Sequence, residues 1–180
     1  MVRQKTQRIS YLAVMIALGV ILTRVASFRV TIGGVEGIRL GIGALPLILS
    51  GIVWGPAAGF FVGALSDIIG YMITPLGAYM PHFTITSGLT GALPALLLKF
   101  TGQADRPGAG MLAAAILFGQ TITSMIMVPY FLQQLFSIPW RPFFPARLIS
   151  LAIHVPAYTF LIRSIVERTQ LFMKVPKREE

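Results

Sequence analysis

Cysteine is absent from the 180 residues, and charged side chains are scarce, at 12% of the chain. Without cysteine the chain has neither a disulfide framework nor a metal site with thiolate ligands. About a quarter of the residues in a soluble domain normally carry a charge. The shortage of charge therefore excludes an ordinary soluble domain.

Long uncharged runs account for most of the chain. No Asp, Glu, Lys or Arg occurs from Leu40 to Ser66, from Ile68 to Leu98, or from Pro107 to Trp140. Each run exceeds the about 20 residues that cross a bilayer. An apolar stretch from Ile9 to Ser27 behind a basic start imitates a signal peptide, but more spans follow, so we interpret it as a retained first helix. The pattern predicts a polytopic membrane protein.

The formal net charge of +9 does not indicate nucleic-acid binding. Nucleic-acid domains cluster their basic residues on a soluble face, and removal of the spans leaves no soluble domain. Gly- and Pro-rich connections at 28–38, 55–56 and 74–81 divide the spans, and Pro56 suits the first position of a helix. We therefore predict an all-α, six-helix bundle that forms one membrane domain over residues 1–180, with helices at about 9–27, 39–54, 56–74, 82–101, 109–129 and 146–170.

The distribution of basic residues predicts that both termini lie in the cytoplasm. This orientation places ten of the fifteen basic residues inside, including all four lysines, as the positive-inside rule requires. The outer basic residues are all arginine, the side chain that binds carboxylates and phosphates with two parallel hydrogen bonds. They indicate an anionic ligand captured from outside, although arginines that reach to lipid headgroups would give the same pattern. The outer set is Arg24, Arg29, Arg39, Arg141 and Arg147.

A single carboxylate lies within an apolar span. Gly59, Gly63, Asp67 and Gly70 share one face of the predicted third helix, and glycines at this spacing are typical of helix packing. A carboxylate inside the membrane is costly and is normally paired or functional. Two alternatives stay open: Asp67 accepts hydrogen bonds from an amidine-like ligand edge, or it forms a structural pair with an arginine such as Arg24 or Arg39.

No residues suggest catalysis or a bound metal. A Ser-His-acid set and paired carboxylates are lacking, and His82 and His154 have no acidic partner at ligand spacing. We predict no catalytic residues, no cofactor and no metal. The chain also lacks a GxxxxGK[ST] phosphate loop, so an ATP-driven step would require a partner. On the first helix, Ala13 and Ala17 form a small-xxx-small pair at which another helix can approach closely.

Aromatic residues alternate with arginines in the loops predicted to face outward. Tyr79, Phe83 and Trp140 would suit a flat heteroaromatic ring that carries carboxylates, with stacking for the ring and arginine for the acid. An interfacial aromatic belt explains the same residues without a ligand, and we favour the belt for Trp140.

Several short motifs occur along the chain. They are Ala13-xxx-Ala17; Ile38-Arg39 with Gly43, Leu45 and Pro46; Gly51, Gly55-Pro56, Gly59, Gly63, Asp67 and Gly70; Pro75-x-Gly77-x-Tyr79-x-Pro81-x-Phe83-Thr84; and Pro145-Ala146-Arg147. Taken together, these motifs resemble the substrate-binding S components of bacterial energy-coupling factor (ECF) vitamin transporters, and they are most similar to the folate family. The similarity extends over essentially the whole chain, and its most specific part runs from helix 2 to helix 4.

The resemblance implies a multi-pass protein of the bacterial cytoplasmic membrane that binds folate from outside, beneath loops 1, 3 and 5. It implies that Ala13 and Ala17 contact a transmembrane coupling subunit and that two ATPases drive import. The substrate-binding residues that it implies are Arg39, Tyr79, Phe83 and Arg147, then Arg24 and Asp67, with Thr84, Gln120 and Trp140 completing the set.

This chain departs from the family pattern at Met80, His82 and Gln120-Thr121-Ile122-Thr123, and these departures concern the ligand more than the architecture. The alternatives are an S component for riboflavin, pantothenate or a queuosine precursor, or a protein of another class, an intramembrane enzyme or a small assembly protein.

Overall fold

The structure is a computed structural model that describes residues 2–24, 27–32, 35–75, 79–104, 107–137, 139, 141 and 144–169. Helices dominate this part of the chain, and a π-helical turn at Thr121–Met127 joins two of them into one continuous rod. In chain order the elements are α1 (Val2–Arg24), β1 (Ser27–Ile32), β2 (Val35–Gly41), α2 (Leu45–Trp54), α3 (Pro56–Ile73), α4 (Pro81–Phe100), α5 (Ala109–Gln120), α6 (Val128–Phe136) and α7 (Phe144–Thr169).

Five helical segments of the described chain are long and apolar enough to cross a membrane, namely Thr6–Arg24, Pro56–Ile73, Pro81–Phe100, Ala109–Leu135 and Arg147–Arg168. The remaining apolar helix, α2, has 10 residues, a length of about 15 Å, whereas the hydrocarbon core is about 30 Å thick. The predicted all-α membrane bundle is confirmed as a fold class. Six full crossings and the N-in, C-in orientation stay predictions.

The first loop departs from the prediction because it forms a β-hairpin. β1 pairs antiparallel with β2, with Arg29 opposite Arg39. The predicted start of helix 2 at Arg39 is therefore wrong, and α2 begins at Leu45. The alternation of apolar and polar residues from Phe28 to Ile32 is the period-two signal of a strand. Composition alone hid it, because the segment also contains the glycines of a turn.

The fifth predicted helix continues beyond its predicted end at Pro129. The rod runs from α5 through the π-helical turn into α6 and ends at Phe136. Proline lacks the N–H that an α-helix interior needs. Pro129 lies in the first turn of α6, where the hydrogen-bond ladder changes from π back to α, so it does not end the helix.

The short helix α2 lies at the centre of the bundle. Its residues Ile48 and Ile52 pack with Leu98 of α4, Ile116 of α5 and Ile162 of α7 in one apolar core. This burial explains why α2 is apolar on every side rather than along one stripe.

Glycines allow the helices around α2 to approach closely. A Cβ at Gly51 or Gly59 would overlap the carbonyl group of Gly91, and a Cβ at Gly63 would overlap the backbone of Ser87. The prediction that these glycines form a helix-packing surface is confirmed. Gly55 joins α2 to α3 with a φ of 101°, a conformation that favours glycine, and Pro56 occupies the first turn of α3 as predicted.

Candidate ligand-binding site

Most of the predicted site residues meet at one end of the bundle. α3 ends and α4 begins there, and ring contacts join the start of α4 to α6, since His82 lies 4.9 Å from Phe131 between ring centroids. The end of α1 reaches the end of α3 through Arg24 and Thr74. The start of α7 reaches the π-helical turn through Arg147 and Ser124.

Asp67 belongs to a chain of three hydrogen-bonded side chains. The buried Thr84 hydroxyl donates to Asp67 Oδ2 over 2.8 Å. The Tyr79 hydroxyl lies 2.9 Å from Thr84 Oγ1. Because Thr84 has a single hydroxyl proton and Asp67 takes it, Tyr79 is the donor to Thr84. The chain therefore runs from Tyr79 through Thr84 and holds one carboxylate oxygen of Asp67 in place.

The other carboxylate oxygen of Asp67 is not engaged by any side chain that the structure describes. Within that part of the chain, Thr84 is the only hydrogen-bond donor to Asp67, and the carboxylate forms no ion pair. The predicted structural pair with Arg24 does not form. The second alternative, a pair with Arg39, involves a side chain that lies outside the described residues.

Arg24 binds the end of α3 instead. Its Nη1 donates to the Thr74 carbonyl over 3.3 Å, and Thr74 is the residue that follows the last turn of α3. Cations at a helix C-terminus stabilise the partial negative charge of the last carbonyl groups. The guanidinium also lies on Gly70, where a Cβ would be 2.6 Å from Arg24 Nε. Gly70 thus makes room for Arg24 on the face that carries Asp67.

Arg147 is buried beside the π-helical turn. Its side chain is only 9% exposed, and Nη1 donates to the Ser124 carbonyl over 2.5 Å. Gln120, which is also buried, ends α5 immediately before this turn. π-helical turns inside α-helices are frequent at functional sites. The arrangement places a guanidinium, the group that best matches a carboxylate in shape, inside the protein.

Aromatic rings flank these polar groups. Tyr79 packs on Tyr71 with centroids 5.2 Å apart, and Phe83 meets Phe131 edge to face at 6.5 Å. Phe131 was missed from the sequence because the fifth helix was predicted to end at Pro129. Extending the helical apolar pattern past that proline would have found it.

Two of the predicted residues lie apart from this site, and two others cannot be placed in it. Ala13 and Ala17 are exposed on α1. Arg39 lies on β2, but its side chain lies outside the described residues, as does all of Trp140.

Comparison with known proteins decides the family. A family profile described as "ECF-type riboflavin transporter, S component" matches residues 3–161. The chain belongs to the ECF-type S components. The S component is 32% identical over 177 residues to "Folate transporter FolT" of Clostridium novyi (strain NT). The matched region covers 97% of this chain and 98% of that relative. The resemblance drawn from the sequence motifs is thereby confirmed.

Two solved structures share the fold of this S component. One, described as "Crystal structure of FolT bound with folic acid", gives a TM-score of 0.73 at 20% identity and covers 91% of this chain and 94% of its own. The other, described as "Structure and mechanism of the S component of a bacterial ECF transporter", gives 0.66 at 17% identity and covers 96% and 100%.

Family membership establishes the general role of this S component. It is a multi-pass membrane protein and a substrate-binding transport subunit rather than an enzyme. The family implies a vitamin ligand and a coupling module with ATPase subunits.

Proposed function

We propose that this S component binds folate, or a reduced folate, and carries it across the bacterial cytoplasmic membrane. The observation that carries the proposal is the half-buried Asp67, with one oxygen held by Thr84 and the other not engaged by any described side chain. The name of the relative from Clostridium novyi supports the same ligand.

A pterin ring matches the requirement of this carboxylate. Its 2-amino group and the neighbouring ring N–H are adjacent donors on one edge, and an ionised carboxylate accepts two such bonds at once. A bound pterin would supply the partners that a carboxylate in a membrane helix needs. Tyr79 reaches this carboxylate through Thr84, and Phe83 precedes Thr84 on α4, so both rings are proposed to stack on the pterin.

The carboxylates of the glutamate part of folate are proposed to bind the arginines. Arg147 is the first candidate, because a buried guanidinium forms strong paired hydrogen bonds with a carboxylate. Arg24, Arg39, Gln120 and Trp140 complete the proposed substrate-binding set.

Riboflavin is the competing ligand, since the matching family profile carries its name. Its ring edge presents one N–H between two carbonyl groups, so a carboxylate at Asp67 would face two acceptors. Riboflavin also has no carboxylate for Arg147. Both features of the site therefore favour folate.

The partner surface is proposed at the middle of α1. Ala13 and Ala17 are exposed, and a small-xxx-small pair lets a partner helix approach closely. We propose that they contact the transmembrane coupling subunit, which in turn binds two ATPases. The S component also contacts membrane lipid along its exposed apolar helices and needs no nucleic acid.

The test is ligand binding by the purified protein in detergent. Mass spectrometry of the co-purified ligand should find a folate, and calorimetry should give tighter binding for folate than for riboflavin. Loss of hydrogen bonds to a charged group costs about 1.5–3 kcal/mol, so Arg147→Ala should weaken folate binding by about 10- to 150-fold.

Two further variants separate the roles of Arg147. Arg147→Lys keeps the charge but loses the forked geometry, and it should also weaken binding. The exposed Arg168, at the other end of α7, is the matched control, and Arg168→Ala should leave the affinity unchanged. Tighter binding of riboflavin than of folate would reject the proposed ligand.

A further inference from the structure

The end of β2 is held by two side chains of α7. The Gly41 N–H donates to His154 Nε2 over 3.4 Å, and the Gly41 carbonyl accepts a hydrogen bond from the Tyr158 hydroxyl over 2.8 Å. Both polar backbone groups of the last strand residue thus bind the same helix. The bond from the Tyr158 hydroxyl is the shorter of the two and is therefore the stronger.

The two side chains form a prearranged unit. Their rings are stacked, with centroids 5.2 Å apart and an interplanar angle of 4°. A backbone N–H can only donate, so His154 Nε2 accepts and the ring proton lies on Nδ1, 3.0 Å from the Ser150 hydroxyl. Tyr158 is 2% exposed and belongs to the apolar core. The unit is therefore rigid, and the hairpin end is bound to the core rather than to solvent.

The same face of α7 serves the candidate site. Arg147 precedes His154 by seven residues, which is about two helical turns, so the two side chains lie one above the other. Arg147 contacts the π-helical turn, and His154 contacts the hairpin. The strand that ends at Gly41 also carries Arg39, a proposed ligand contact. A shift of β2 at Gly41 would therefore move Arg39 relative to Arg147.

We propose that His154 and Tyr158 are positioning residues that hold the root of the β1–β2 hairpin and so keep β2, and with it Arg39, in place for the ligand. Neither side chain needs to touch the ligand. Loosening the root lets Arg39 shift and so speeds release of the ligand. The ligand part of this inference rests on the proposed folate function, whereas the hold on the hairpin does not.

The test compares Tyr158→Phe and His154→Phe with the parent protein in detergent. Each variant keeps an aromatic ring and removes one bond to Gly41. Amide hydrogen exchange of residues 35–41 in ligand-free protein should become about 2- to 12-fold faster, the effect of one hydrogen bond. The folate off-rate should rise by a similar factor. Because both bonds hold one residue, the double variant should show less than the product of the single effects.

Controls separate a positioning role from a general loss of stability. Tyr130→Phe makes the same chemical change at a tyrosine that is 57% exposed, and it should alter neither quantity. Ser150→Ala removes the partner of His154 Nδ1 and should speed exchange at 35–41 less than His154→Phe does. This smaller change keeps the test available if the other variants fold poorly. Unchanged exchange at 35–41 together with a lower melting temperature would overturn the inference. Faster exchange without any folate binding would reject the proposed ligand and leave the hold on the hairpin standing.

Discussion

Replacing Asp67 by asparagine tests most directly whether this carboxylate recognises the pterin edge of the ligand. The variant keeps the shape of the side chain and removes its charge. Thr84 donates to Oδ2 over 2.8 Å, so the asparagine carbonyl oxygen should stay beside Thr84. The amide NH2 then takes the place of the other carboxylate oxygen. A donor would face the two donors of the pterin edge.

The expected loss follows from the bonds involved. Hydrogen bonds to a charged group contribute about 1.5–3 kcal/mol, which corresponds to an increase of about 10- to 150-fold in Kd. Asp67→Asn should fall at the upper end, because it also leaves ligand donors without an acceptor. Thr84→Val keeps the carboxylate and removes only the group that orients it. Its effect should be that of one ordinary hydrogen bond, about 2- to 12-fold.

Calorimetry with two ligands isolates the contact. The parent protein should bind 2-desaminofolate, which lacks the amino group, more weakly than folate. Asp67→Asn should bind the two ligands with nearly equal affinity, because the partner of the amino group is gone. Glu167→Gln is the matched control, since Glu167 is exposed and pairs with Arg163 at 2.6 Å. If the losses from the variant and from the analogue simply multiply, Asp67 does not contact this edge and the reasoning is refuted.

Further predictions concern packing and assembly. Gly91→Ala should destabilise the bundle by about 1–3 kcal/mol in thermal unfolding, because its Cβ would overlap the Gly59 carbonyl. Gly110→Ala is the control and should show no such loss, because a Cβ at Gly110 meets nothing within 4 Å. Replacing Ala13 and Ala17 together by leucine should abolish co-purification of the coupling subunit and ATPases while folate binding is kept. Val14→Leu, at an exposed α1 position, is the control, and retained assembly of the double variant would contradict the proposed interface.

The membrane spans were predictable because their signal is local. A run without charge indicates a helix in lipid whatever the rest of the fold does, and glycine or proline marks where it ends. The turn at Gly55 and Pro56 was predicted for this reason. The hairpin was missed, because the alternation from Phe28 to Ile32 is short and two glycines, Gly33 and Gly34, follow it in the sequence.

The site was predictable in its members but not in its contacts. Asp67, Tyr79 and Thr84 were each selected from the sequence, yet the direction of the bonds between them depends on how α3 packs against α4. His154 and Tyr158 carried no local signal of their contacts, and Phe131 carried only the apolar helical pattern that continues past Pro129. Their partners lie in distant segments of the chain, and only the folded bundle brings them together.

By itself, then, the sequence determined that the chain is a helical membrane protein, because span length, charge and glycine spacing act within a single helix or between neighbouring helices. The type of membrane protein came from its resemblance to the S components. The tertiary structure alone decided which roles the polar groups take. Arg24 reaches the end of α3 rather than Asp67, Arg147 reaches the π-helical turn, and Gly41 is held by α7. Inside a membrane bundle each polar group must find a partner within hydrogen-bond distance, and helix packing determines which partner is that close.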